Sequence, residues 1–259
     1  MRNRHAVLAF ASLVAALLAA GSSMGADDAL EAPRSGDGEP AYVARPEPAK
    51  PASGPVPIYV PPELGSPLQS VGAGTRGAGR KATLQPLAPD HLGLTTAEAP
   101  TLYWFLAEAT STRMDLTLRD ERSVEPLLEV ELPTPATAGI HALRLSDHGV
   151  KLGSDQNYQW FVSLVPDPER RSKDFVAGAW IRRSDLAPEL RQRLAAAPGA
   201  GAAFLYAEHG VWYDALAALS AQIAATPGDG ALRAQRAALL EQVGLSEAAA
   251  SDRQAGQLP

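Results

Sequence analysis

The residues most suggestive of chemistry are the glycines of "VGAGTRGAGR", residues 71–80. Gly72-Ala-Gly74-Thr75-Arg76-Gly77 matches G-x-G-x-x-G, in which glycines let the backbone approach a pyrophosphate and a following helix aims its N–H groups at it. That fingerprint works only with a strand before the turn and a helix after it. Here "PPELGSPLQS" precedes and "AGRKATLQPLAPD" follows, and neither has strand alternation or a helical period. The spacing therefore predicts a flexible turn carrying Arg76, Arg80 and Lys81. It serves either as a solvated basic loop or as a docking segment for an acidic partner or for the chain's own core. No nucleotide or other cofactor is expected.

Other chemistries fail similar tests. Gly21-Ser-Ser23-Met-Gly25 spells a hydrolase nucleophile elbow, but it lies in a segment with neither the strand nor the helix that the elbow requires. The chain has no cysteine, so disulfides, thiolate metal sites and cysteine nucleophiles are excluded. Its five histidines show no metal-ligand spacing, and no metal site is expected. Glu129 and Glu131 form a carboxylate pair on one strand face, where exposed acids are ordinary. Glu208, His209 and Asp214 resemble an acid-base cluster, yet they read better as exposed residues of a turn between helices. No catalytic residues are assigned.

Met1-Arg-Asn-Arg4 is a short basic start, and residues 6–20, "AVLAFASLVAALLAA", are an uncharged apolar run followed by small residues. That order reads as a secretory signal over 1–26, cleaved between Ala20 and Ala26; a retained membrane anchor is the alternative, although the run is short for a span. Localisation is thus expected to be exported, periplasmic or extracellular. A net charge of −6 gives no footprint for nucleic acid. Residues 27–99 are rich in proline, glycine and alanine and poor in large apolar side chains, which predicts a largely disordered or polyproline tail. Within it, Ile58-Tyr59-Val60-Pro-Pro is an apolar knot able to dock on a groove or a sheet edge.

From residue 100 to 183 the text changes. Six short runs rich in aromatic and branched residues, at 101–109, 114–120, 126–133, 140–146, 157–165 and 175–183, are separated by turn-type clusters. This predicts an antiparallel β-sandwich-like domain. Trp104, Trp160 and Trp180 read as core aromatics with locally satisfied indole N–H groups, or alternatively as a glycan platform. The charged loop 167–174, with Arg170 and Arg171, reads as a hairpin connection that could also bind.

Residues 184–250 read as helical. Tyr206, Gly210, Trp212, Ala215, Leu219 and Pro227 sit at the mutual offsets of a tetratricopeptide unit, and the helix predicted at 230–245 falls where the next unit begins, with Gly244 at the equivalent turn. "SEAAASDRQAGQLP" reads as a fraying polar end.

The pieces "GAGTRG", "TLYWFLAEAT", "YQWFVSLVPDPERRS", "GAWIRR" and "LYAEHGVWYDALAAL" followed by "LLEQVGL" resemble the bacterial family catalogued as domain of unknown function 928, over roughly residues 59–245. The resemblance implies architecture and carries no assigned activity. The expectation is therefore an α+β chain: a Pro/Gly-rich tail, an antiparallel β-sandwich-like domain and a short tetratricopeptide-like helical segment. Its role is read as non-enzymatic protein interaction or scaffolding, with an envelope protein or peptide as partner and a glycan-binding module as the alternative. The interaction residues are Tyr59, Gly72, Gly74, Thr75, Arg76, Gly77, Arg170, Arg171, Trp212 and Tyr213.

Overall fold

Runs of aromatic and branched residues between turn clusters favour strands, and the six predicted strands form. The computed structural model describes residues 54–63, 84–197 and 199–256. Two three-residue strands come first, β1 (Leu84–Pro86) and β2 (Gly93–Thr95). The six predicted ones follow as β3 (Thr101–Leu106), β4 (Arg113–Asp120), β5 (Leu128–Leu132), β6 (Gly139–Arg144), β7 (Asn157–Val165) and β8 (Phe175–Arg183). The β architecture thus begins at Leu84, inside the stretch read as tail. Leu84, Leu87 and Leu92 are buried, too sparse among prolines to show an alternation but enough to anchor short strands.

The strands make a three-stranded sheet of order β1-β3-β6 and a five-stranded sheet of order β2-β8-β7-β4-β5. Pairings are antiparallel apart from β2 with β8. On the inner face of the larger sheet Met114, Leu116, Leu118, Trp160, Val162, Ala179 and Ile181 are buried, in one cluster with Leu84, Leu102 and Phe105 of the smaller sheet. The outer face is ordered too. Gly178 leaves room for the Phe161 ring, with which any side chain at that position would collide, and the Arg119 guanidinium lies 5.2 Å from that ring.

Among the described residues five α-helices follow: α1 (Pro188–Ala196), α2 (Ala200–Glu208), α3 (Trp212–Ala225), α4 (Gly230–Glu241) and α5 (Ser246–Ala255). Helix α2 ends at Gly210 in the left-handed region, φ 73°, with Val211 N–H bonded to Tyr206 O and Gly210 N–H to Ala207 O. Helix α4 ends in the same way at Gly244, where Leu245 N–H reaches Leu240 O and Gly244 N–H reaches Glu241 O. This double bond pattern is the Schellman closure, which favours glycine at the left-handed position.

Helix α5 corrects the reading of a fraying end. Ala248, Ala249 and Asp252 are buried on it. The Asp252 carboxylate accepts two 2.7 Å bonds from the Arg236 guanidinium, which also donates to Ser220 Oγ at 2.9 Å. Polar composition hid a helix whose buried charge is matched across α3, α4 and α5. Among the described residues no helix is long and apolar enough to cross a membrane.

Candidate functional site

Prolines at 55, 57, 61 and 62 hold residues 54–63 extended, because each fixes its own φ and disfavours helix in the residue before it. The segment behaves like a strand: Pro57 and Tyr59 are buried while Val56, Ile58 and Val60 are exposed. It is seated as a strap across the ends of the helices. The Gln242 side chain bridges it, accepting from Tyr59 N–H at 2.9 Å and donating to Pro57 O at 2.8 Å. Val60 N–H donates at 3.0 Å to Ala207 O, which uses its second lone pair beside the bond from Gly210 N–H. Gly210 is needed twice, for its positive φ and because a Cβ there would lie 2.9 Å from Val60 O.

The Tyr59 ring meets Trp212 edge-on, with centroids 5.0 Å apart. Its hydroxyl lies 3.0 Å from His91 Nε2, and His91 Nδ1 lies 3.1 Å from Asp90. The carboxylate can only accept, so Nδ1 carries a proton; in the singly protonated ring Nε2 then accepts from the tyrosine. Burial, with Asp90 adding to it, holds the Tyr59 hydroxyl well above the usual phenol range.

Trp212 and Tyr213 are fully buried at the start of α3 and fasten the helices to the strands. Trp212 Nε1–H donates to Leu87 O at 2.9 Å. The Tyr213 hydroxyl accepts from Trp160 Nε1–H at 2.9 Å and donates to Trp180 O at 3.1 Å. Its ring lies over Gly93, where a Cβ would approach to 2.7 Å. These two residues therefore reach an outside partner only through what they support. Of the pair, Trp212 forms part of the strap's seat.

Asp214 corrects the exposed-turn reading. Its carboxylate accepts from Thr95 Oγ1 and Thr96 Oγ1, both at 2.6 Å, and from Thr96 N–H, fastening α3 to the end of β2. Burial pushes its carboxyl above the ordinary range against the pull of these hydrogen bonds. A cavity of about 290 Å³ adjoins it, lined also by Tyr206 and Ala217. Neighbouring Glu208 instead pairs with Arg193 at 2.8 Å, and the His209 ring nitrogen Nδ1 bonds Leu205 O.

The remaining predicted residues separate. Arg170 pairs with Asp167 at 3.0 Å. Arg171 bonds Asp174 and lies 3.2 Å from buried Asp115, so this loop is held by its own charges. Glu129 and Glu131 stand exposed on β5, Glu131 being 3.4 Å from Arg113. Trp160 is fully buried as expected, but Trp104 departs from expectation, since its buried Nε1–H has no partner among the described residues. Gly72, Gly74, Thr75, Arg76 and Gly77 lie outside the described residues, as do the signal segment and residues 27–53 of the tail. Among the described residues no group of three or more His, Asp or Glu side chains is placed to hold a metal ion. Sequence reasoning missed Gln242, His91 and the pair Thr95–Thr96; no motif marks them, because they act by meeting distant segments.

A family model for Domain of Unknown Function (DUF928) matches residues 71–253. The chain belongs to that family. Among the described residues the match takes in β1 to β8, α1 to α4 and all but the last two residues of α5, while the strap lies before it. No curated protein matches. A multi-domain immunophilin from Arabidopsis thaliana is similar over 63% of this chain and 98% of that chain at 10% identity, with a TM-score of 0.19 too low to carry an argument.

Proposed function

We propose that this family member is an exported, non-enzymatic interaction module whose helix-end groove receives an extended segment with a tyrosine between prolines. The observation that carries the reading is the strap. It supports the reading by what the seat already holds: a tyrosine ring against Trp212, a hydroxyl on His91, and backbone amides on Gln242 and Ala207 O. Main-chain bonds supply affinity and the ring supplies selectivity, as in other modes of extended-peptide recognition. The strap itself precedes the matched family region, so within this reading it is a replaceable occupant held in cis, and a partner protein or peptide of the envelope competes for its seat. The basic start and apolar run of residues 6–20 support export. The two glycine closures, 34 residues apart, support a tetratricopeptide-like pair of helical hairpins, a scaffold suited to holding peptides.

The test uses the full mature chain with residues 57–62 replaced by glycine and serine. A peptide spanning 54–63 should bind it saturably by fluorescence anisotropy, and a Tyr59→Ala peptide should bind at least tenfold more weakly. The unaltered chain, its groove filled, should bind the peptide more weakly than the replaced chain. Loss of fold on strap replacement, or equal binding of both peptides, would sink the reading and leave the strap as a structural seal.

A further inference from the structure

β5 ends in the larger sheet and β6 begins in the smaller one, so residues 133–138 cross between the sheets. By this crossover lies a cleft of about 570 Å³, walled by Trp104, Met114, Leu132, Pro135 and His141, with Arg144 and Asp147 also lining it. Its volume is in the range of small-ligand sites, about 300–1,000 Å³. It shares no lining residue with the strap's seat.

Two groups in this cleft are prepared for hydrogen bonds that the described residues do not make. Trp104 and His141 are paired across β3 and β6, their rings stacked with centroids 5.7 Å apart. The indole is 4% exposed, yet its Nε1–H has no acceptor, whereas the buried indoles of Trp160 and Trp212 are both satisfied. Buried donors are almost always paired, so an orphan covered beside a cleft marks a place for an outside acceptor, reached when the side chains over the nitrogen move aside. His141 Nε2 lies 2.7 Å from the Thr137 carbonyl, which can only accept, so that nitrogen holds the proton. In the neutral ring Nδ1 is then left as an acceptor.

We propose that the cleft binds a neutral saccharide ring, with one oxygen accepting from Trp104 Nε1–H and one hydroxyl donating to His141 Nδ1. Sugar hydroxyls both donate and accept, and the C–H faces of the ring pack on Met114, Leu132 and Pro135. Of the ionisable side chains that line the cleft with His141, Arg144 and Asp147 are opposite in sign and His148 stands beside them, so no single charge dominates the wall. This differs from an exposed aromatic platform, because the tryptophan is used through its N–H rather than through an open ring face.

The experiment follows the indole N–H resonances of the four tryptophans in the full mature chain by NMR while glucose, N-acetylglucosamine and their disaccharides are added to tens of millimolar. The Trp104 signal, assigned by sequential connectivity and by its absence from Trp104→Phe, should shift saturably with at least one sugar. His141→Phe, which keeps a stacked ring and removes the acceptor, should weaken that binding at least tenfold, while Glu129→Gln on the outer face should leave it unchanged. An unmoved Trp104 signal with every sugar, a response at Trp180 instead, or undiminished affinity in a folded His141→Phe protein would overturn the proposal.

Discussion

Tyr213 shows how much one hydroxyl can organise. It accepts from an indole that has no exposure and donates to a strand carbonyl, so two strand residues meet α3 at a single atom. Tyr213→Phe keeps the ring over Gly93 and removes only that oxygen. The expected cost is about 1–3 kcal/mol, the penalty of a buried donor left without an acceptor. Urea unfolding checks it; a change below about 0.5 kcal/mol would mean that the indole finds another acceptor. Asp214 makes a prediction of opposite character. Its folded-state pKa is raised, so the folded protein binds a proton more readily than the unfolded chain. Stability from this group is therefore greatest below the unfolded carboxylate value of about 3.9 and declines as pH rises through the raised folded value. Asp214→Asn abolishes that slope and retains an oxygen for the threonines. In thermal melts from pH 7 down to pH 4, the parent should gain on the variant as pH falls; a constant difference across that range would show that burial does not govern this carboxyl.

At the scale of elements, legibility followed the length of the periodic signal. β3 through β8 were visible as runs of aromatic and branched residues between turn clusters, with alternation plainest in β4, where Met114, Leu116 and Leu118 stand against Asp115, Thr117 and Arg119. β1 and β2 were not, because three residues cannot show a period and their prolines and glycines read as linker. The α2–α3 hairpin was legible from Gly210, whose left-handed φ and close approach to Val60 O both exclude a side chain. Helix α5 was missed for a physical reason: its buried face is built from Ala248, Ala249 and Asp252, which look like a surface until Arg236 is placed opposite. The site fared unevenly. Tyr59 and Trp212 were singled out by residue type, whereas Gln242 and His91 lie 183 and 32 positions from Tyr59 and no local pattern joins them.

At the scale of the whole molecule, strands and helices share one core. Trp160, Tyr213, Leu102, Leu216 and Ala249 belong to a single buried cluster. Neither part keeps its interior if the other opens, which predicts a cooperative transition rather than separate melting of a β unit and a helical unit. Asp252→Ala tests this from the far end of the chain. It leaves the Arg236 guanidinium, 8% exposed, without its charge partner, and breaking such a buried pair on one side costs about 3–5 kcal/mol. If the core is shared, far-UV circular dichroism and the fluorescence of the strand and α3 tryptophans should report the same lowered midpoint, although the substitution lies in α5. Fluorescence that stays at the parental midpoint while helical signal is lost early would show that the helices unfold alone. The strap's seat, built from both parts through His91 and Trp212, would then close and open with the helices rather than with the fold.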